Sequence, residues 1–410
     1  MLGSVVLTVL LAGAHASGAA AQSREVCCGD LGCFSPIATG RRIFTTPKCP
    51  PDLSVTFYFY RRSESSKPYL TVRWPDIKLD ESQLDVSKPI MIFIHDHAGS
   101  ANCSLVQNLT DAYLKKVDST VIIVDYDSSG SYQQSVANSR VVAAQISRFI
   151  QNLTSNLNAM PDVFHLIGFG IGAQIAGYTG RAVPGIGRFT GLDPAGPLFN
   201  DHTSFKGDAQ FVEIVHTNCD PSSGIGTCND GGDVDFYFNG GLTQPCCPVP
   251  FRGNQITELA FDNFSAFYDK VSPINITCSH IHAMKYYTDS LINDNCTYWG
   301  KKRNIIREFI NIITNGFASK FVTSLRKCTL STCSPFGLET NQYPARGSFD
   351  VATSDDEPYC IPHYVTDIDM LRQLAAQNQN PVPENKKATE ISYQPTSISE
   401  NFVETTTQTT

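Results

Sequence analysis

Three places along the chain hold residue types suited to acyl transfer. The run Phe164-His165-Leu166-Ile167 leads into Gly168-Phe169-Gly170-Ile171-Gly172 and on to Ala173-Gln174-Ile175-Ala176-Gly177. Strand, glycine-rich turn and helix is the setting in which a nucleophile is lifted clear of the backbone at the centre of a tight elbow. Flanking glycines let strand and helix approach closely, while the strained centre presents its side chain to the site. Asp193 ends the next apolar run, in Gly191-Leu192-Asp193-Pro194-Ala195, and His280 lies further on, in Cys278-Ser279-His280. Turn centre, acid and histidine follow one another in the order of a nucleophile, acid and base triad. The turn centre, however, is Gly170. Serine, cysteine or threonine must supply the attacking atom, and glycine has no side chain to do so. Loss of a serine nucleophile typically lowers kcat by about 10⁶, leaving an oxyanion hole and cleft worth only ~10³ to 10⁴ over water. Glycine at a strained centre also relieves about 1 to 3 kcal/mol, so the exchange favours stability at the expense of covalent catalysis.

Other readings of these residues are weaker. Gly168, Gly170 and Ala173 also fit a loose dinucleotide-binding fingerprint. Ser279 beside His280 and Ser100 after Phe93-Ile94-His95-Asp96-His97 carry hydroxyls, but neither sits at an elbow. His95 and His97, with His280 and His282, form two H-x-H pairs that could ligate a metal if both lay in loops bordering one cleft.

The elements that must position these residues alternate in type. Val55 to Tyr60, Tyr69 to Trp74, Ile90 to His95, Val121 to Tyr126, Val163 to Gly168, Phe189 to Leu192 and Phe211 to His216 read as strands. Ser135 to Leu153 and Ile171 to Gly180 read as helices between them, which predicts an α/β fold with a mostly parallel sheet flanked by helices. Lys301 to Lys327 has helical spacing of Ile305, Ile306, Phe309, Ile310, Ile313 and Phe317 and is expected to pack on the sheet.

Composition narrows the class. The 410 residues are 41% hydrophobic and 17% charged, which supports a large core and argues against overall disorder. A net charge of −8 without a dense Lys/Arg block argues against nucleic-acid binding. Residues 1–21, apolar from Val5 to Ala14 and followed by small-residue cleavage options, read as a signal peptide. Fourteen cysteines then point to disulfides in an oxidising compartment, with Cys27-Cys33, Cys219-Cys228 and Cys328-Cys333 as local pairs. Six N-x-[ST] sequons, at Asn102, Asn108, Asn152, Asn263, Asn275 and Asn295, agree with an extracellular glycoprotein. Beyond Cys360, residues 361–410 turn polar and are expected to form a largely disordered tail.

The chain resembles the secreted pancreatic-type lipase family, which includes phospholipases A1 and lipase-like yolk proteins. The likeness is carried in collinear order by Val26-Cys27 to Cys33-Phe34, Phe93-Ile94-His95, His165-Leu166-Ile167-Gly168, Gly191-Leu192-Asp193-Pro194-Ala195, His216-Thr217, Phe238-Asn239-Gly240-Gly241 and Tyr286-Tyr287-Thr288-Asp289-Ser290. This resemblance implies an α/β-hydrolase domain over 25–360, stabilised by disulfides. Asp193 would be the triad acid, His280 the base, and Gly170 would stand where the serine belongs. The backbone N–H groups of His97 and Ile171 would line the oxyanion hole. Residues 247–278 would form a lid, with Phe261, Phe264 and Tyr268 on one helical face towards an acyl ligand. Asp96 departs from the family, which usually has glycine there, and Asn200 to Asp208 is short for the family's calcium site. No metal and no cofactor are expected. The expected role is a secreted, catalytically silent homologue that binds, carries or stores lipid and contacts lipid surfaces. The alternatives are an active carboxylic-ester hydrolase with an unrecognised nucleophile, and a structural or protein-interaction glycoprotein.

Overall fold

The computed structural model describes residues 25–40, 43–199, 204–220, 224–245, 247, 273–303 and 328–361. Its main sheet has 11 strands: β1 (Thr56–Arg61), β2 (Leu70–Arg73), β3 (Ile90–Ile94), β4 (Thr120–Asp125), β5 (Phe164–Phe169), β6 (Arg188–Leu192), β7 (Phe211–His216), β8 (Val234–Phe238), β9 (Trp299–Lys302), β10 (Cys333–Pro335) and β11 (Gly347–Val351). They lie in the order β10-β9-β11-β8-β7-β6-β5-β3-β4-β1-β2. From β4 through β3, β5, β6, β7 and β8 to β11, neighbours run parallel. The strands at both edges run antiparallel.

Fully apolar strands such as Ile90-Met91-Ile92-Phe93-Ile94 are buried on both faces, as a covered parallel sheet requires. Alternation sends Ile90, Ile92 and Ile94 into one core and Met91 and Phe93 into the other. The first core is closed by α2 (Tyr132–Asn156) and α3 (Ile171–Ala182), the second by α1 (Ser104–Lys116) and α4 (Pro273–Ile292). Ser131 caps α2, its side chain accepting the Gln134 N–H at 3.2 Å.

Two expectations change. Lys301 and Lys302 belong to strand β9, where Lys301 pairs with Asp350, because the adjoining Tyr298 and Trp299 are buried on the sheet and draw this segment into it. The rest of that expected helix, 304–327, lies outside the described residues. His280 and His282 stand on helix α4 rather than in a loop, since the apolar stripe Ala283, Met284, Tyr287 and Leu291 docks this segment on the second core.

Disulfides join Cys27 to Cys33, Cys28 to Cys49, Cys219 to Cys228, Cys247 to Cys278, Cys296 to Cys360 and Cys328 to Cys333. The chain separates into a unit spanning Met1–Val365 and a second, Thr366–Thr410, which lies outside the described residues, as does the expected signal peptide, 1–21. Residues Phe261, Asn263, Phe264 and Tyr268 of the expected lid lie outside them too, as does the side chain of Asn275. Of the other sequon residues, Asn102, Asn108 and Asn295 are exposed and Asn152 is partly so.

Candidate functional site

Parallel pairing places the carboxyl ends of β3, β5 and β6 side by side, with Ile94 opposite Gly168 and Leu192 opposite Phe169. Residues just beyond these strand ends therefore converge, as ligand sites of open parallel sheets do. Between β5 and α3 the chain turns at Gly170, with φ 56° and ψ −118°. The turn is held by Gly170 N–H donating to Leu192 O at 3.1 Å, and by Gly170 O accepting from Ala195 N–H at 3.1 Å. Close approach of strand and helix leaves no room at Gly168, where a Cβ would meet the Gly172 carbonyl oxygen at 2.3 Å.

Asp193 follows β6 with φ 41° and is fully buried. Its Oδ1 accepts N–H bonds from Thr217 at 2.8 Å and Asn218 at 3.0 Å, which aim Oδ2 at the histidine. His280 Nδ1–H donates to that Oδ2 at 2.6 Å. The ring stacks on Phe169, with centroids 4.3 Å apart.

On its other edge, His280 Nε2 meets not a hydroxyl but the Asp96 Oδ2, at 3.1 Å. Asp96 follows β3, and its Oδ1 accepts the Ile171 N–H at 2.6 Å. The nearby backbone N–H of His97 also favours the charged form of this carboxylate. Of the two backbone donors expected to line an oxyanion hole, that of Ile171 is thus spent on Asp96, and that of His97 adds to stabilising its charge. A Cβ placed on Gly170 would lie 2.2 Å from Asp96 Cγ, so the carboxyl group occupies the space a nucleophile's side chain would fill.

Electrostatics follow from this sandwich. Burial works against a charged His280, yet its hydrogen bonds to Asp193 and Asp96, with their negative charges, push its pKa up to about 9. Burial likewise disfavours the Asp96 carboxylate, but His280 and the two N–H groups more than offset it and hold its pKa below the usual value. At neutral pH the ring is therefore an imidazolium bridging two carboxylates, unable to accept a proton from water or a substrate.

The surrounding histidines have other tasks. His95 is buried, its Nδ1 2.8 Å from Asp96 O, its ring stacked on Tyr126 and its Nε2 3.5 Å from Asp125. Together these contacts pin the loop carrying Asp96. His97 Nδ1 lies 2.9 Å from Ser135 Oγ. His282 Nδ1 lies 2.7 Å from Cys278 O. The two H-x-H pairs do not converge on one point: among the described residues, the group with metal-ligand spacing is Cys247, Cys278 and His282, and its two sulfurs are bonded to each other. Ser279 Oγ accepts the Gln244 N–H at 3.0 Å, and Ser100 is exposed.

Gly170, Asp193, His280, His97 and Ile171 are thus brought together. What residue types and order could not disclose is the engagement of Asp96 with all of the last three. The available signal was an acid beside His97 at the end of β3, where the resemblance implies glycine.

A family profile described as Lipase matches residues 19–346. The chain is 32% identical over 291 residues to a pancreatic triacylglycerol lipase of Myocastor coypus, covering 67% of this chain and 62% of that protein. It is 30% identical over 290 residues to pancreatic lipase-related protein 2 of Homo sapiens, covering 67% and 60%. With inactive pancreatic lipase-related protein 1 of Mus musculus it shares 29% identity over 289 residues, covering 67% and 59%. The chain spans about six-tenths of the length of these relatives. An alpha-beta serine hydrolase homologue from Coxiella burnetii aligns at TM-score 0.29 and 12% identity, over 63% of this chain and 99% of its own, too distant to bear on the site.

Proposed function

Because the chain belongs to the lipase family, we propose that it is an extracellular lipase homologue that binds, carries or stores lipid and does not hydrolyse esters. One observation carries this reading: at the elbow there is no attacking atom, and the space beside Gly170 holds the Asp96 carboxylate. Asp193 and His280 then act as a buried hydrogen-bonded pair joining the end of β6 to α4. The lipase relatives favour a fatty-acyl ligand. The six disulfides and the sequons favour secretion.

The test uses the full chain purified from a secreting eukaryotic host. A serine-directed phosphonate should leave its mass unchanged, a short-chain ester should not turn over, and solvent extraction should release acyl lipid. Ester turnover that disappears on His280→Asn would overturn the reading in favour of an active hydrolase. Absence of both lipid and turnover would leave a structural or protein-interaction glycoprotein.

A further inference from the structure

We propose that Asp96 is a built-in ligand of the oxyanion hole: its carboxylate occupies the position of a substrate's acyl oxygen, so that the site rejects ester carbonyls and fatty-acid carboxylates even if a nucleophile is restored. The inference deepens the reading above by saying which part of a lipid this site refuses, and it stands on the geometry around Asp96 alone. A carboxylate and an ester carbonyl oxygen compete for the same donors, and here the Ile171 N–H is already engaged at 2.6 Å. His280, the group that would otherwise shuttle the proton, spends its Nε2–H on the same carboxylate at 3.1 Å. The Asp96 side chain is 13% exposed and tied at its backbone, where the carbonyl accepts the Gly99 N–H and contacts His95 Nδ1. It is held as part of the fold. A lipid reaching these strand ends would therefore have to present a neutral chain or a head group other than a carboxylate, since Asp96 and Asp193 already flank the His280 ring.

Loss of the serine and gain of the acid are, on this argument, one coupled change. A side chain at position 170 and the Asp96 carboxyl claim the same volume, with 2.2 Å between a Cβ at 170 and Asp96 Cγ. Restoring the serine alone crowds the carboxylate without releasing the Ile171 N–H and His280 that hold it. Removing the acid alone frees the Ile171 N–H beside the His280 ring, a ready-made seat for a small carboxylate.

Four full-length proteins test this: natural, Gly170→Ser, Asp96→Gly and the double variant. Formate, added to the natural protein, should leave its melting temperature unchanged, and should raise that of Asp96→Gly saturably. Acetate should do so less, being larger. In the ester assay both single variants should be silent, and the double variant should exceed Gly170→Ser by about 10² to 10³-fold, the worth of a freed oxyanion donor. Asp96→Asn keeps the shape and some hydrogen bonds, so it reports on the charge if the glycine variant fails to fold. In it the His280 ring should titrate at lower pH, as followed by NMR. Equal turnover in Gly170→Ser and the double variant would overturn the proposal, as would formate indifference in a folded Asp96→Gly protein. Ester turnover in the natural protein would instead count against the non-hydrolytic function, whatever formate does.

Discussion

A buried imidazolium between two carboxylates ties the stability of this fold to the protonation of His280. The titratable groups hydrogen-bonded to the ring are Asp193, from the end of β6, and Asp96, from the end of β3. They raise its pKa from 6.5 to about 9. At about 1.4 kcal/mol per tenfold change in proton affinity, that rise corresponds to about 3 kcal/mol of folding free energy. Because the folded value lies above the unfolded one, the contribution is fully present below pH ~6.5 and is lost as pH rises through ~9. Urea unfolding of the natural protein near pH 6 and near pH 10 should therefore differ by about 3 kcal/mol in favour of the lower pH, with His280→Asn losing most of the difference. The thiol of Cys103 is free and should be alkylated first, since its thiolate would reshuffle disulfides in the alkaline arm. NMR titration of the ring supplies the direct check. A His280 midpoint at or below 6.5 would refute the reasoning, because it would mean that one of the two carboxylates is not engaged.

Three further outcomes follow from the packing. Gly170→Ala should destabilise the fold by about 2 to 4 kcal/mol in urea unfolding, combining backbone strain at a positive φ with displacement of Asp96. Arg188→Met should cost about 3 to 5 kcal/mol: Arg188 pairs with buried Glu213 at 3.0 Å and donates to the carbonyls of Gly337 and Leu338, and the variant leaves that carboxylate without its counter-charge. Replacing both Cys247 and Cys278 by serine opens a bridge across a sequence separation of 31 and should lower stability by about 2 to 4 kcal/mol, checked under non-reducing conditions.

How much of this was legible in the chain depends on what kind of contact carried it. Strands buried on both faces write themselves as apolar runs, so Ile90 to His95 and Phe211 to His216 could be read within a residue of their extent. The strands at one end of the sheet, Trp299–Lys302, Cys333–Pro335 and Gly347–Val351, mix charge, glycine and proline; β8 offers a ladder to Gly347–Val351, which offers one to Trp299–Lys302, which in turn pairs Cys333–Pro335, a tertiary cause with no local signature. Helix α4 is hidden differently: His280 and His282 are expected in a loop bordering a cleft, whereas the stripe that matters is Ala283, Met284, Tyr287 and Leu291.

The site divides along the same line. Gly170, Asp193 and His280 could be picked out because chain order and residue type define their chemistry, and Asp96 was noticed as a departure. Its engagement with a ring 184 positions away and a backbone N–H 75 positions away is a fact of convergence at three strand ends, which periodicity cannot express. That convergence alters the inference drawn from the glycine. Read alone, Gly170 describes a hydrolase lacking one hydroxyl, which a single serine would repair. Read with Asp96, whose carboxyl fills the space beside Gly170 and hydrogen-bonds His280 and Ile171, it describes a site in which a serine at position 170 should need a second change at Asp96 to act.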